Sequence, residues 1–328
     1  MRMFFSALII VFSLTACTNK TDSGEARLSN PPYNKLTDSI QAEPKNAALY
    51  FKRGTLLYSN EEIALAEKDL RKSWQLQPDE EYALGVSTLL KQKNQDEAIR
   101  FLEEALKKLP NSLFIQLQLA QGYRSKGQLK RSLELCNQII SRYPNNIDAY
   151  LLKAEILKSQ NKNAEAIATL EKAYQLAPGD VELVHTLAFD YAEAKDPKAL
   201  SVSDSLIKAD TEKSHAEPYY FKGVYYSNTG NYAEAIKQFD KAIQTNYTFI
   251  NAYINKGIIY YDQKKYKEAL TVFTLAAKVF PDEADPYYWL GKTQEAMGSK
   301  DEARLNYQRA YGLDKTFTEA KEAANRLK

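Results

Sequence analysis

The stretch Ala216–Tyr247, AEPYYFKGVYYSNTGNYAEAIKQFDKAIQTNY, decides how the rest of the chain is read. Its apolar residues recur at helical spacing in two blocks. Tyr219, Gly223 and Tyr226 share one face at i, i+4, i+7, and Ala235, Phe239 and Ala242 do the same further on. Between the blocks, Asn228-Thr229-Gly230-Asn231 supplies residues that tolerate positive φ and cap a following helix. The spacing predicts two helices joined by a tight turn. Gly223 falls inside the first, where glycine costs about 1 kcal/mol against alanine; that cost is recovered if another side chain packs on its bare backbone. Ala235 and Ala242 mark the same close approach. Neither helix buries its apolar faces alone, so similar neighbours must stack on both sides.

The next residues supply the neighbour. From Ile250 the pattern returns 34 residues on, as Tyr253, Gly257 and Tyr260, then Ala269, Phe273 and Ala276, then Pro281. A third copy carries Tyr287, Leu290-Gly291, Gly298, Ala303, Tyr307 and Ala310. This 34-residue helix-turn-helix with its glycine, alanine and proline positions resembles the tetratricopeptide repeat (TPR) family. The resemblance implies an all-α, right-handed superhelical solenoid. Prolines mark the period upstream as well: Pro44, Pro78, Pro110, Pro144 and Pro178, with one gap of 32 between Pro78 and Pro110. Proline suits the position just past a helix because it cannot continue one.

About eight repeats are expected, with terminal caps. The expected organisation is a leader over 1–16, a modified cysteine and tether over 17–32, and a capping helix over 33–46. Repeats one to five then fill 47–210, repeats six to eight fill 211–315, and a charged capping helix closes 316–328. The second helix of repeat five is poor in apolar residues and Asp210–His215 is polar. Stability in a solenoid is roughly a sum of neighbour interfaces, so a seam is expected near Lys208–Ala216.

The leader has its own signature. MRMFFSALIIVFSLTAC pairs a basic start with an apolar run that is short of the ~20 residues a bilayer-spanning helix needs. Leu14-Thr15-Ala16-Cys17 resembles the bacterial lipobox, which implies lipid attachment at Cys17 and a place in the cell envelope. Acyl burial at ~0.8 kcal/mol per CH₂ makes two or three chains a stable anchor. Thr18 follows the cysteine where many inner-membrane lipoproteins carry aspartate, which favours the outer membrane, facing periplasm or cell surface. Thr18–Pro32 is polar and is expected to be a flexible tether, averaging roughly 20 Å end to end.

Composition excludes several functions. The 328 residues hold 44 Lys+Arg against 42 Asp+Glu, so no basic excess points to nucleic acid. Two cysteines, Cys17 and Cys136, make no disulfide framework, and the two histidines, His185 and His215, stand 30 residues apart without ligand spacing. Gly122-Tyr123-Arg124-Ser125-Lys126-Gly127-Gln128 is half a phosphate loop without the lysine and hydroxyl that reach phosphate and magnesium. No nucleophile elbow or dinucleotide fingerprint is present. Cys136 shares the position of Phe239, Phe273 and Leu170 and reads as a buried hydrophobe. No catalytic set, metal or cofactor is expected.

Apolar residues beyond the core stripe remain on the first helices. The family resemblance implies a concave groove for a partner peptide or helix at the equivalent positions. In the last three repeats these are Tyr220, Val224 and Ser227, then Asn251, Ile254, Ile258 and Tyr261, then Tyr288 and Lys292. Upstream they are Phe51 and Tyr58, Phe114 and Leu117, Leu151, and His185 with Phe189. An aromatic and aliphatic stripe along one concavity resembles an interaction site. The chaperone-type lysine and asparagine clamp of some family members is not matched, since Phe51 and Thr55 stand at its positions. The expected function is a non-catalytic scaffold or adaptor for an envelope protein partner, held to the membrane by its lipid. The alternative is a self-assembling structural or assembly factor, like a pilotin or part of an outer-membrane machine.

Overall fold

The computed structural model describes residues 24–327. The leader and Cys17 lie outside these residues. Two compact units are present, one ending at Leu135 and one beginning at Cys136. No strand occurs among the described residues, and the architecture is all-α.

In the first unit α1 (Gly24–Leu28) and α2 (Asn34–Ala42) precede the helix pairs α3 (Ala47–Ser59) with α4 (Ile63–Leu76) and α5 (Glu80–Lys93) with α6 (Gln95–Lys108). Then come α7 (Leu113–Ser125) and α8 (Leu129–Arg142), which runs across the unit boundary. The second unit stacks α9 (Ile147–Ser159) with α10 (Asn163–Leu176) and α11 (Val181–Glu193) with α12 (Lys198–Ala209). It continues with α13 (Glu217–Asn228) and α14 (Tyr232–Thr245), α15 (Ile250–Asp262) and α16 (Tyr266–Val279), α17 (Ala284–Ala296) and α18 (Lys300–Leu313), and closes on α19 (Thr318–Arg326). Successive first helices touch directly in α11, α13, α15 and α17 and so form a continuous face.

The part of the expected tether that lies among the described residues is held by specific contacts. From Gly24 the chain is helical, the Thr37 hydroxyl donates to the Leu28 carbonyl at 2.6 Å, and Arg27 pairs with Glu62. Tertiary partners hold a polar segment that has too little apolar surface to hold itself.

Within each repeat the helices meet where a Cβ is missing. A Cβ on Gly223 would overlap the ring of Phe239, one on Gly257 the ring of Phe273, and one on Gly291 would lie 2.8 Å from Tyr307 Cδ1. Phe239 and Phe273 are fully buried. The tyrosine that opens a repeat is tied to the preceding turn. Tyr253 donates to the Tyr247 carbonyl at 3.0 Å, Tyr287 to Pro281 at 3.3 Å and Tyr50 to Pro44 at 3.2 Å. These bonds satisfy the carbonyl of the turn residue just past each helix C-cap.

The turn inside the repeats has a repeated conformation. Gly127, Gly230 and Gly298 adopt φ of 71, 81 and 88°, and Asn161, Lys195 and Lys264 take φ near 59° at equivalent positions. The 32-residue spacing of repeat two arises partly here and partly just before α5, where three residues follow α4 against the four that follow α6. Asn94 alone joins α5 to α6, capping the latter by accepting from Asp96 and Glu97 backbone N–H groups at 3.0 and 3.3 Å. One side chain thus replaces a left-handed turn.

Candidate functional site

The first-helix residues expected to line a groove fall in both units. Phe51, Tyr58, Phe114 and Leu117 belong to the first unit and the rest to the second. In the first unit Phe51 packs on Tyr82 with ring centroids 4.9 Å apart, and Tyr58 is half-buried. Phe114 stands 56% exposed, whereas Leu117 is buried and has no surface to offer. Val224 in the second unit is likewise buried.

The second unit gathers the others into three neighbourhoods. On α9, Leu151 borders a cleft of about 100 Å³ with Glu155, Lys158, Glu182 and Thr186. Next to it Lys158, Phe189, Asp190 and Glu193 line a cleft of about 200 Å³. Asp190 is almost wholly buried and its Oδ1 accepts from Lys158 at 2.8 Å.

The second neighbourhood is aromatic. Phe189 stacks on Tyr220 with an interplanar angle of 11° and a centroid separation of 6.4 Å. His185 meets Phe221 edge-on at 5.7 Å and His215 at 6.5 Å. The chain's two histidines, 30 residues apart in sequence, therefore face each other where the Asp210–His215 linker returns to α11. His215 is anchored there, its backbone N–H donating to Asp210 Oδ2 at 2.8 Å. Burial holds His185 below the usual imidazole range, and the Glu217 carboxylate opposes that shift in part. Tyr220 also meets Phe249 at 5.2 Å, and its hydroxyl accepts from Asn255 at 2.8 Å. Ser227 is half-buried, and Asn251 is exposed.

The third neighbourhood borders another cleft. Ile254, Ile258, Tyr261, Tyr288 and Trp289 pack, partly buried, on the core of α16 and α17. Lys292 lies over three rings at once, 4.3 Å from the Trp289 centroid, 5.3 Å from Tyr261 and 5.8 Å from Tyr288. Such contacts hold a cation without a carboxylate. The cleft, about 510 Å³, is completed by Glu295, Tyr307, Glu319, Glu322 and Arg326. Arg326 grips both oxygens of Glu295 at 2.7 and 2.8 Å, and Tyr307 donates to the same carboxylate at 2.8 Å. Burial and this carboxylate push the Tyr307 phenol far up, and burial raises Tyr261 and Tyr288.

Trp289, Phe221 and Arg326 escaped the sequence reading. Each first-helix groove residue at the Tyr220 and Tyr288 positions is followed by one that also faces it, so the residue after each was the available signal. Arg326 carried none, because only tertiary packing brings α19 over α17.

Three models of tetratricopeptide repeats match residues 216–249, 257–298 and 284–317, and a model of anaphase-promoting complex subunit 3 matches residues 91–173. The chain therefore carries tetratricopeptide repeats. It is similar to the protein SGT1 homolog of Bos taurus, 33% identical over 38% of this chain and 38% of that protein. It also resembles the human protein O-mannosyl-transferase TMTC1, 25% identical over 57% of this chain and 18% of that protein. The matched region thus spans well under half the length of these relatives. The crystal structure of a tetratricopeptide repeat protein from Parabacteroides merdae superposes with a TM-score of 0.60 at 18% identity, covering 75% of this chain and 98% of that one. At that identity the likeness concerns the fold.

Proposed function

We propose that this chain is a non-catalytic adaptor that binds a partner peptide or helix on the first-helix face of its second unit. The observation that carries this reading is the 510 Å³ cleft lined by Tyr261, Tyr288 and Lys292, three residues from two helices, with Lys292 lying over the neighbouring Trp289 ring. Its aromatic walls are half-buried and its volume is that of a site for a few side chains. Repeats of this family commonly serve protein–protein interaction, and the chain carries several. The transferase activity named for TMTC1 is not carried over, because the matched region is 18% of that protein. No group of three or more His, Cys, Asp or Glu side chains suited to a metal occurs among the described residues.

The finer placement rests on the leader. An apolar run ending in Leu14-Thr15-Ala16-Cys17 supports a lipid-anchored envelope protein with its partner in the same compartment. Palmitate labelling that is lost in Cys17→Ser supports the anchor, and equal labelling of both removes it. For the groove, crosslinked capture from native membranes is compared between wild type and Ile254→Asp with Ile258→Asp. A dominant partner lost in the variant, with helicity kept, is the expected result. Equal recovery moves the site elsewhere.

A further inference from the structure

The first-helix face of the second unit carries carboxylates that helix formation does not ask for. Asp148, Glu182, Glu217, Asp285 and Glu319 sit in first turns, where an acid favours the positive helix end. Glu193 and Asp262 do not. They are the last residues of α11 and α15, where the helix dipole disfavours a negative charge, and both are exposed. They occupy the same position of repeats five and seven. Glu322, also exposed, stands on α19 at the position that Tyr220, Ile254 and Tyr288 hold in theirs. The equivalent positions of α3 and α7 in the first unit are Ser59 and Ser125, Phe51 and Leu117, none acidic.

Three cations of this face are already engaged. Lys158 is at Asp190, Arg326 is on Glu295, and Lys292 lies over its three rings. A second observation points the same way. Asp190 is 8% exposed and lines the 200 Å³ cleft with Glu193. Lys158 Nζ lies 2.8 Å from both of its oxygens, so the cleft presents a buried, cation-paired carboxylate next to exposed Glu193.

We propose that this face takes a cationic amphipathic peptide segment. Its Lys or Arg side chains meet Glu193, Asp262 and Glu322, while its apolar side chains enter the cleft bordered by Tyr261 and Tyr288. The proposal rests on the groove reading above and adds the charge of the occupant.

The test uses the full chain and three labelled synthetic peptides of one length and one apolar pattern, with Lys, Gln or Glu at every polar position. Binding is read by fluorescence anisotropy. The expected result is a preference for the Lys peptide over the Glu peptide of about tenfold or more, equivalent to ~1.4 kcal/mol, shrinking as salt is added. The exposed triple variant Glu193→Lys, Asp262→Lys and Glu322→Lys is expected to invert the preference. Equal affinity for the three peptides, lost in Ile254→Asp, overturns the charge assignment and leaves the groove standing. Binding that ignores both Ile254→Asp and the triple variant overturns the groove reading itself. No saturable binding of the Lys peptide overturns the proposal, with circular dichroism showing that each protein is folded.

Discussion

Single residues carry much of this fold. Gly257 was legible as a close-approach position, and the Phe273 ring occupies the space its Cβ would need. Gly257→Ala is expected to lower stability by about 1–3 kcal/mol, the range for overpacking a tight core, read as a lower thermal midpoint. Adding Phe273→Leu should cost less in that background than in wild type, since the smaller side chain relieves the overlap. Cys136 is the converse case: burial pushes its thiol up to about 12 and leaves it no nucleophile. His185 titrates in a useful window. Its folded pKa lies below that of the unfolded chain, so its contribution to stability is present above about pH 6.5. That contribution is lost as pH falls through the folded value. Amide protection factors in α11 and α13, corrected for intrinsic exchange, should therefore fall between neutral and mildly acid pH, and His185→Phe should flatten the response.

At the scale of elements, the turns separate what pattern shows from what geometry decides. The Asn-Thr-Gly-Asn signal at Asn228–Asn231 announces a turn, and Gly230 takes the left-handed conformation. Lys264 takes the same conformation without being glycine, at φ 58°. Left-handed backbone costs an L-residue roughly 1–2 kcal/mol, part of which glycine gives back through its unfolded-state entropy. Lys264→Gly is accordingly expected to stabilise by about 0.5–1 kcal/mol, measured by denaturant midpoint. The 32-residue gap was visible in the prolines, but its cause was not. Asn94 does the work of a three-residue turn because its side chain can cap α6.

For the whole molecule, the weak second helix of repeat five has structural content. Along α12 only Ala199 and Ser203 are buried, against Ala235, Gln238, Phe239 and Ala242 along α14. The linker after it carries Lys213, exposed and at φ 54°. The division into units, however, falls at Leu135 and Cys136 inside α8 and not at this linker. Brief trypsin treatment of the folded chain is expected to cut first after Lys213, where backbone hydrogen bonding is sparse. Earliest cleavage within α8 would instead make the unit boundary the weaker place.

The amino-acid sequence by itself determined the all-α class, the 34-residue period and the small-against-large pairing inside each repeat. These follow from local periodicity and from side-chain size, which neighbours in sequence already reveal. Tertiary structure alone decided which groove residues keep a surface. Val224 and Leu117 sit on the expected face yet are buried. It also decided that His185 meets His215, that α19 brings Arg326 onto Glu295, and that Lys292 lies over three rings rather than beside a carboxylate. Such contacts depend on how far each helix is displaced against the next, a quantity that no single repeat encodes.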